Sequence, residues 1–426
     1  MPAPAPRQKF TELKQKIAEL RGLPFRREVS LNSAAAEATN PGPGKTYAVP
    51  DGGASVDRLS RIYQRLGLLP EATDFVKALA DYSRLEAIAA YRPETEGIVV
   101  TAEAARLGRV LAGESSAKSE EIAAAFALTD ALQEQHFDWH QKTRTISPED
   151  RRLALRAVAQ GDAVLVGWNY LGQGKKPPSR EEQAQAIGRL SGELEKMAAG
   201  LPELLKRKWV FPYIEGSQFV WWAYATKGWE GVNRLFAEPP ISTSQVLHPE
   251  KYYLRREEPQ RIVPWGLMRQ IKTAPVLEQR LGEALIQVAL LSRYSRKQSA
   301  EIASGWKSDH LWVYEADPNL IIAWLSVWSD EENALRFFRS YRDVLERQHR
   351  VRFEPTGAGG RLHAETAAGG WTVLQTEGPI VLLLDGLTLP RARELADEIW
   401  RDLDVGTPPE LTPFDLGGRQ SPRRSR

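Results

Sequence analysis

The sequence predicts an α+β protein, with a mainly helical body followed by a smaller C-terminal unit of ββαββα-like order. Long stretches with apolar residues at helical spacing fill most of the chain up to residue 298. After Gly305-Trp306 the texture changes to short β-branched and aromatic runs bounded by Gly and Pro. Of 426 residues, 42% are hydrophobic and 26% charged, which suits more than one core and excludes a chain disordered throughout.

The elements follow in order. A helix is expected over 10–21, stopped by Gly22-Leu23-Pro24, and a Pro/Gly-rich linker over 40–53. Amphipathic helices are expected over 56–66 and 73–91, with a turn at Gly67 to Pro70 between them. A turn at 93–97 leads into a short strand over 98–101. Three further helical segments cover 119–140, 148–170 and 180–207, the last interrupted at Gly200-Leu201-Pro202. Residues 209–253 read as aromatic-rich and turn-rich, and a long helix is expected over 275–293. The final unit combines strands 311–315 and 320–327, a helix over 331–348 and a Gly-rich hairpin at 356–360. Strands 371–375 and 379–384 and a helix over 391–402 close it. These elements group as an N-terminal helix and linker (1–55), a helical domain (56–298), an α+β domain (299–405) and a flexible basic tail (406–426).

Composition excludes several function classes. Lys plus Arg is 57 against 55 for Asp plus Glu, so the net charge is +2 and no nucleic-acid partner is expected. No apolar run reaches membrane-spanning length, so no membrane insertion is expected. The absence of cysteine excludes disulfides, thiolate zinc sites, Fe–S clusters and a Cys nucleophile. No apolar signal segment stands at the start, so the chain as written is expected in the cytoplasm. It would be extracytoplasmic if a signal peptide had been removed.

The segment Phe126-Ala-Leu-Thr-Asp-Ala-Leu-Gln-Glu-Gln-His-Phe-Asp138 carries the functional argument. It resembles a family of uncharacterised bacterial zincin-like metallopeptidases whose helix reads H-E-[LY]-T-H-A-L-Q-D-Q-H-F-D. Leu128, Thr129, Ala131, Leu132, Gln133, Gln135, His136, Phe137 and Asp138 match. The resemblance extends to Tyr91–Val100, to Phe211-Pro-Tyr-Ile-Glu-Gly216, Gly228-Trp229, Pro239-Pro240, Ser242-Thr243 and Leu247-His-Pro-Glu-Lys-Tyr252, and to Gly305-Trp-Lys-Ser-Asp309. It covers most of the chain from Arg21 to Asp404 and implies a zincin-like first domain.

The departures matter most. The alignment puts the family's first zinc histidine on Phe126, its glutamate on Ala127 and its second histidine on Asp130. Its E-G-D-A motif falls on Gln160-Gly161-Asp162-Ala163, with Gln160 in place of the third ligand. A catalytic zinc needs about three protein ligands and an open water position. An aromatic ring cannot ligate, an amide oxygen is a poor donor, and alanine cannot take a proton from metal-bound water. The resemblance therefore implies a catalytically inactive homologue with no cofactor, binding a protein or peptide through a cleft at Phe126, Asp130, Gln160, Glu215 and His248, or serving as a structural subunit.

A rival reading places zinc on His136 and His140, four apart and on one face of a continuous helix, in a displaced hydrolase site. For Glu215 the structural alternative is a cap on a helix starting near Gly216, and for His248-Pro249 a turn. His310, His349 and His363 read as isolated. Gly357-Ala-Gly-Gly360 lacks the Gly-Lys-Ser/Thr ending of a P-loop, and no G-x-S-x-G occurs. Trp324 and Trp328 lie at even spacing on a strand-like run and are expected to share one sheet face in packing.

Overall fold

The computed structural model describes residues 6–32, 55–87, 89–101, 104–112, 116–144, 146–172, 180–316, 319–356, 360–366 and 370–406. The expected linker over 40–53 and all but the first residue of the expected basic tail lie outside these residues.

The chain opens with helix α1 (Pro6–Arg21) and strand β1 (Ser30–Asn32). Helices α2 (Val56–Arg65) and α3 (Phe75–Glu86) follow, capped by Ser55 and Asp74, whose side chains accept from the Arg58 and Lys77 backbone N–H groups. A hairpin of β2 (Ala89–Arg92) and β3 (Gly97–Val100) precedes α4 (Ala104–Ala112), α5 (Ser116–Phe137) and α6 (Trp139–Arg144). Next come α7 (Glu149–Leu171), α8 (Arg180–Met197), α9 (Glu203–Ala237), α10 (Thr243–Leu247) and α11 (Glu250–Tyr253). Strand β4 (Arg261–Pro264), helix α12 (Trp265–Gln270), strand β5 (Leu277–Gln279) and helices α13 (Gly282–Leu290) and α14 (Arg296–Ala303) lead to the sheet. That sheet uses β6 (Trp306–Ala316), β7 (Asn319–Trp328), β8 (Glu354–Pro355), β9 (Arg361–Thr366), β10 (Gly370–Glu377) and β11 (Ile380–Leu387). Helix α15 (Glu331–His349) intervenes after β7, and α16 (Leu389–Arg401) and β12 (Leu403–Gly406) close the fold.

The class is α+β, with the sheet toward the C-terminus. Seven strands pair antiparallel in the order β5-β6-β7-β11-β10-β9-β8. Both faces of this sheet are covered, and the alternation of side chains assigns each residue to one face. Leu311, Val313, Ile322, Trp324 and Leu383 join α15 and the helical body in the largest core. Trp312, Tyr314, Ala323, Leu325 and Leu382 pack with α16 and Leu267 of α12 in a second core. Trp324 and Trp328 do share a face, both stacking on or against Phe337. The largest core thus runs across residue 298, and β5 and β4 belong to sheets completed by later strands.

Several expected elements differ. The helix over 73–91 ends at Glu86, because Ala89–Arg92 pairs with Gly97–Val100 across the Pro93 turn and ladder bonds outweigh the helix preference of alanine. The helix over 119–140 breaks at Asp138, which takes φ 52° and leaves its side chain outside the α5 spiral. Residues 209–253 are not mostly turns: α9 continues to Ala237 through Pro212, with a kink at Gly228 where φ is 59°. Buried Trp209, Phe211, Phe219 and Val220 supply the burial that offsets the lost N–H of Pro212. The helix over 275–293 is instead β5 and α13, separated at Gly282, where φ is 73°. Strand β9 was not expected; its partner β10 supplies the pairing that its polar sequence does not advertise. The Gly-rich turn joins β8 to β9, although residues 357–359 lie outside the described ones.

Two glycines set the spacing of the helical body. A Cβ on Gly161 of α7 would lie 2.3 Å from the Gly216 carbonyl oxygen, and one on Gly216 of α9 would lie 2.2 Å from that of Ala157. Backbone meets backbone there, so neither helix can yield locally. Gly161→Ala is expected to cost about 1–3 kcal/mol in urea unfolding despite the better helix propensity of alanine. Gly188→Ala on α8, where nothing lies within 4 Å of the added carbon, should instead stabilise by up to about 1 kcal/mol.

Candidate functional site

Helices α5, α7 and α9 position the residues singled out in the sequence. Phe126 and Asp130 stand one turn apart on the same side of α5. The Phe126 ring is buried in the largest core, seated on Gly167 of α7: a Cβ there would meet Phe126 Cε1 at 2.8 Å. Ala127 points to another apolar cluster, with Ile17, Tyr91, Ile98 and Leu128. Gln160 is half-buried on α7, immediately before the Gly161 contact. Phe126 and Ala127 are thus filled core positions on two different sides of α5.

Asp130 is 8% exposed and has no ordinary carboxylate chemistry. Burial and, after it, the neighbouring Asp162 carboxylate raise its pKa to about 8, against a smaller opposing pull from Arg92. At neutral pH it is therefore mainly protonated. Asp162 of α7 is fully buried, and its pKa is also pushed up by burial, but Arg21 and Gln133 oppose the rise. Arg21 Nε donates to both Asp162 oxygens, at 2.9 and 3.2 Å, and Gln133 Nε2 donates to Oδ2 at 3.0 Å. The guanidinium also lies over the Trp229 ring, 4.7 Å from its centroid. Also on α7, Arg156 donates to Tyr82 Oη at 2.6 Å and pairs with Glu86 at 2.7 Å.

This arrangement does not fit a zinc ion. Two of the aligned positions carry no donor atom, the third is an amide, and the fourth is a carboxyl that retains its proton. Among the described residues, no three His, Asp or Glu side chains gather as a metal's ligand set.

His136 and His140 are not on one continuous helix, since α5 ends at Phe137 and α6 begins at Trp139. His136 Nε2 meets the Pro24 carbonyl oxygen at 2.7 Å, and the His140 backbone N–H donates to the Glu134 carboxylate at 2.7 Å. The His140 ring meets Tyr91 edge-on at 6.2 Å. The even turn that would aim both imidazoles at one ion is lost at Asp138.

Glu215 caps no helix; it lies inside α9 and accepts from Arg207 Nη1 at 2.5 Å. His248 ends α10, between that helix and α11. The two are joined through other side chains: Arg207 Nη2 donates to Gln287 Oε1 at 3.2 Å, and Gln287 reaches Glu283 at 3.4 Å. The His248 Nε2 to Glu283 Oε1 distance is 2.8 Å. Glu283 is 1% exposed and was missed in the sequence, where α13 offers only an apolar helix with one carboxylate. Arg21 was missed for a similar reason: as the last residue of α1 it resembles a solvated cap. His310, His349 and His363 are not isolated: they meet Glu278, the Arg65 carbonyl oxygen and the Thr356 hydroxyl.

One family, described as a domain of unknown function (DUF8575), matches residues 271–396. The matched segment opens just before β5 and closes within α16, so it contains all seven strands of the large sheet together with α13, α14 and α15. No curated protein and no solved structure matches the chain.

Two outcomes are expected. Arg21→Met leaves a buried carboxylate without its cation and should cost about 3–5 kcal/mol, with Asp162→Asn in the same chain recovering more than half of it; urea unfolding of both variants reads this. For Asp130, the folded pKa lies above the unfolded value of about 3.9, so its stabilising contribution is complete below that pH and is lost as pH rises to about 8. Asp130→Asn should therefore gain on the wild type across this window, by at most about 1.4 kcal/mol per pH unit, in melts recorded from pH 4 to 8.5.

Proposed function

We propose that the chain is a zincin-like metallopeptidase homologue that has lost its metal centre and acts without catalysis, through binding a protein or peptide partner or as a structural subunit. The observation that carries this reading is the state of the four aligned positions. Phe126 and Ala127 are consumed in apolar packing, Asp130 is held neutral beside Asp162, and Gln160 offers only an amide. A helix bearing H-E-x-x-H must keep its polar face open to an ion and a water. Here that face is closed by side chains, and Arg21 supplies the positive charge in its interior.

The Glu215–Arg207–Gln287–Glu283–His248 chain fits the same reading. Each of these five side chains bonds to another of them, which ties α9, α10 and α13 to one another. A second reading is favoured by the family match, which is confined to residues 271–396: the sheet and its helices would carry the function, with the helical body as support.

Elemental analysis of protein purified without chelator tests the first reading. The wild type should hold far less than one zinc per chain. The combined change Phe126→His, Ala127→Glu, Asp130→His and Gln160→Glu should raise zinc content and give a zinc-dependent rise in Tm. Stoichiometric zinc in the wild type, lost on His136→Ala with His140→Ala, would sink the reading.

A further inference from the structure

A cavity of about 570 Å³ lies away from the residues discussed so far, between α4 and α8. Its walls carry Arg106, Arg109, Arg189 and Lys196 against a single carboxylate, Glu193. Four cations to one anion is a local excess of three positive charges on a chain whose net charge is only +2. Glu193 is already shared: Arg106 donates to it at 2.6 Å and Lys196 approaches at 3.7 Å. Arg109 and Arg189 are exposed and make no ion pair among the described residues.

The floor of the groove differs from its walls. Gly188 and Gly192 stand one turn apart on α8, each with nothing within 4 Å of where a Cβ would be, and Val110 of α4 lies beside them. Glycine inside a helix costs stability, yet here two face the same groove and leave its base bare. From Gly188 to Lys196 the helix rises about 12 Å, the length of three or four extended residues. A flat base of that length admits a peptide main chain, while guanidinium groups at the rim suit carboxylates, which they can hold through two parallel hydrogen bonds.

We propose that the groove between α4 and α8 binds an acidic peptide segment, with Arg109 and Arg189 reaching its Asp or Glu side chains and Gly188 and Gly192 admitting its backbone. This deepens the binding reading above by naming the surface and the chemistry of the partner, but the groove contains none of the aligned metal positions. A failure here leaves the zinc measurements to decide that reading by themselves.

The test is fluorescence anisotropy with a short fluorescein-labelled poly-glutamate peptide, using the full chain. The expected result is saturable binding that weakens as salt rises. Arg109→Ala with Arg189→Ala should weaken it by about tenfold or more, which corresponds to about 1.4 kcal/mol or more. Gly192→Leu leaves the charge unchanged but fills the floor, and should also weaken binding several-fold. Arg61→Ala with Lys272→Ala removes the same charge from exposed positions elsewhere and should leave the affinity within about twofold. Unchanged affinity in the groove variants, or an equal loss in the Arg61/Lys272 control, would overturn the proposal. So would a labelled single-stranded oligonucleotide that binds as tightly and ignores Gly192→Leu, because a plain polyanion needs no bare floor. Circular dichroism melts of each variant verify that the fold is intact.

Discussion

A carboxylate inside a helical body is tolerable only when something answers its charge, and at Asp162 the answer comes from Arg21, on a helix 141 residues earlier. Much of the architecture around α5 follows from that requirement. The pair fixes the end of α1 against α7, and the segment after it runs along α5, with Gln135 accepting from the backbone of Arg26 and Arg27 and His136 meeting Pro24. Gln133 completes the Asp162 shell from α5 itself. Asp130 keeps its proton chiefly because it is buried, and the Asp162 carboxylate beside it adds to the cost of ionising it. The chemical silence of the region thus combines one buried carboxylate answered by Arg21 with another that burial keeps protonated.

The junction with the sheet solves the same problem without a cation. Asp309 of β6 is fully buried and accepts four hydrogen bonds: the backbone N–H groups of Leu281 and Gly282, and the indole N–H groups of Trp306 and Trp324. Those donors come from the start of α13 and from two neighbouring strands, so one side chain ties helix to sheet. Negative charge at the beginning of a helix also suits the helix dipole. Asp150 of α7 accepts from the Thr243 backbone and hydroxyl nearby, and burial raises its pKa to about 7. The helical body and the sheet consequently share a core, in keeping with a family match that begins at residue 271 rather than at the first long strand.

Local patterns carried a good deal of the fold. The helices near 10–21, 56–66, 148–170 and 331–348, the paired long strands, and the shared face of Trp324 and Trp328 were legible because each depends on periodicity within one segment. The break at Asp138 and the passage of α9 through Pro212 were not, since both set a local preference against packing by distant residues. The sequence showed that Phe126 and Ala127 carry no donor atoms. Where Phe126 and Ala127 point, and what holds Asp130 neutral, required the neighbours.

By itself, the amino-acid sequence determined the α+β class, the absence of thiol chemistry and the near-balanced charge. Only the tertiary structure decided that Glu283 is the partner of His248, that Arg21 belongs to Asp162, and that glycines on α8 face a cationic wall on α4. The reason is physical: composition and period report how a residue prefers to be solvated, whereas a buried charge takes its meaning from the group folded against it, and nothing in the local sequence encodes that group.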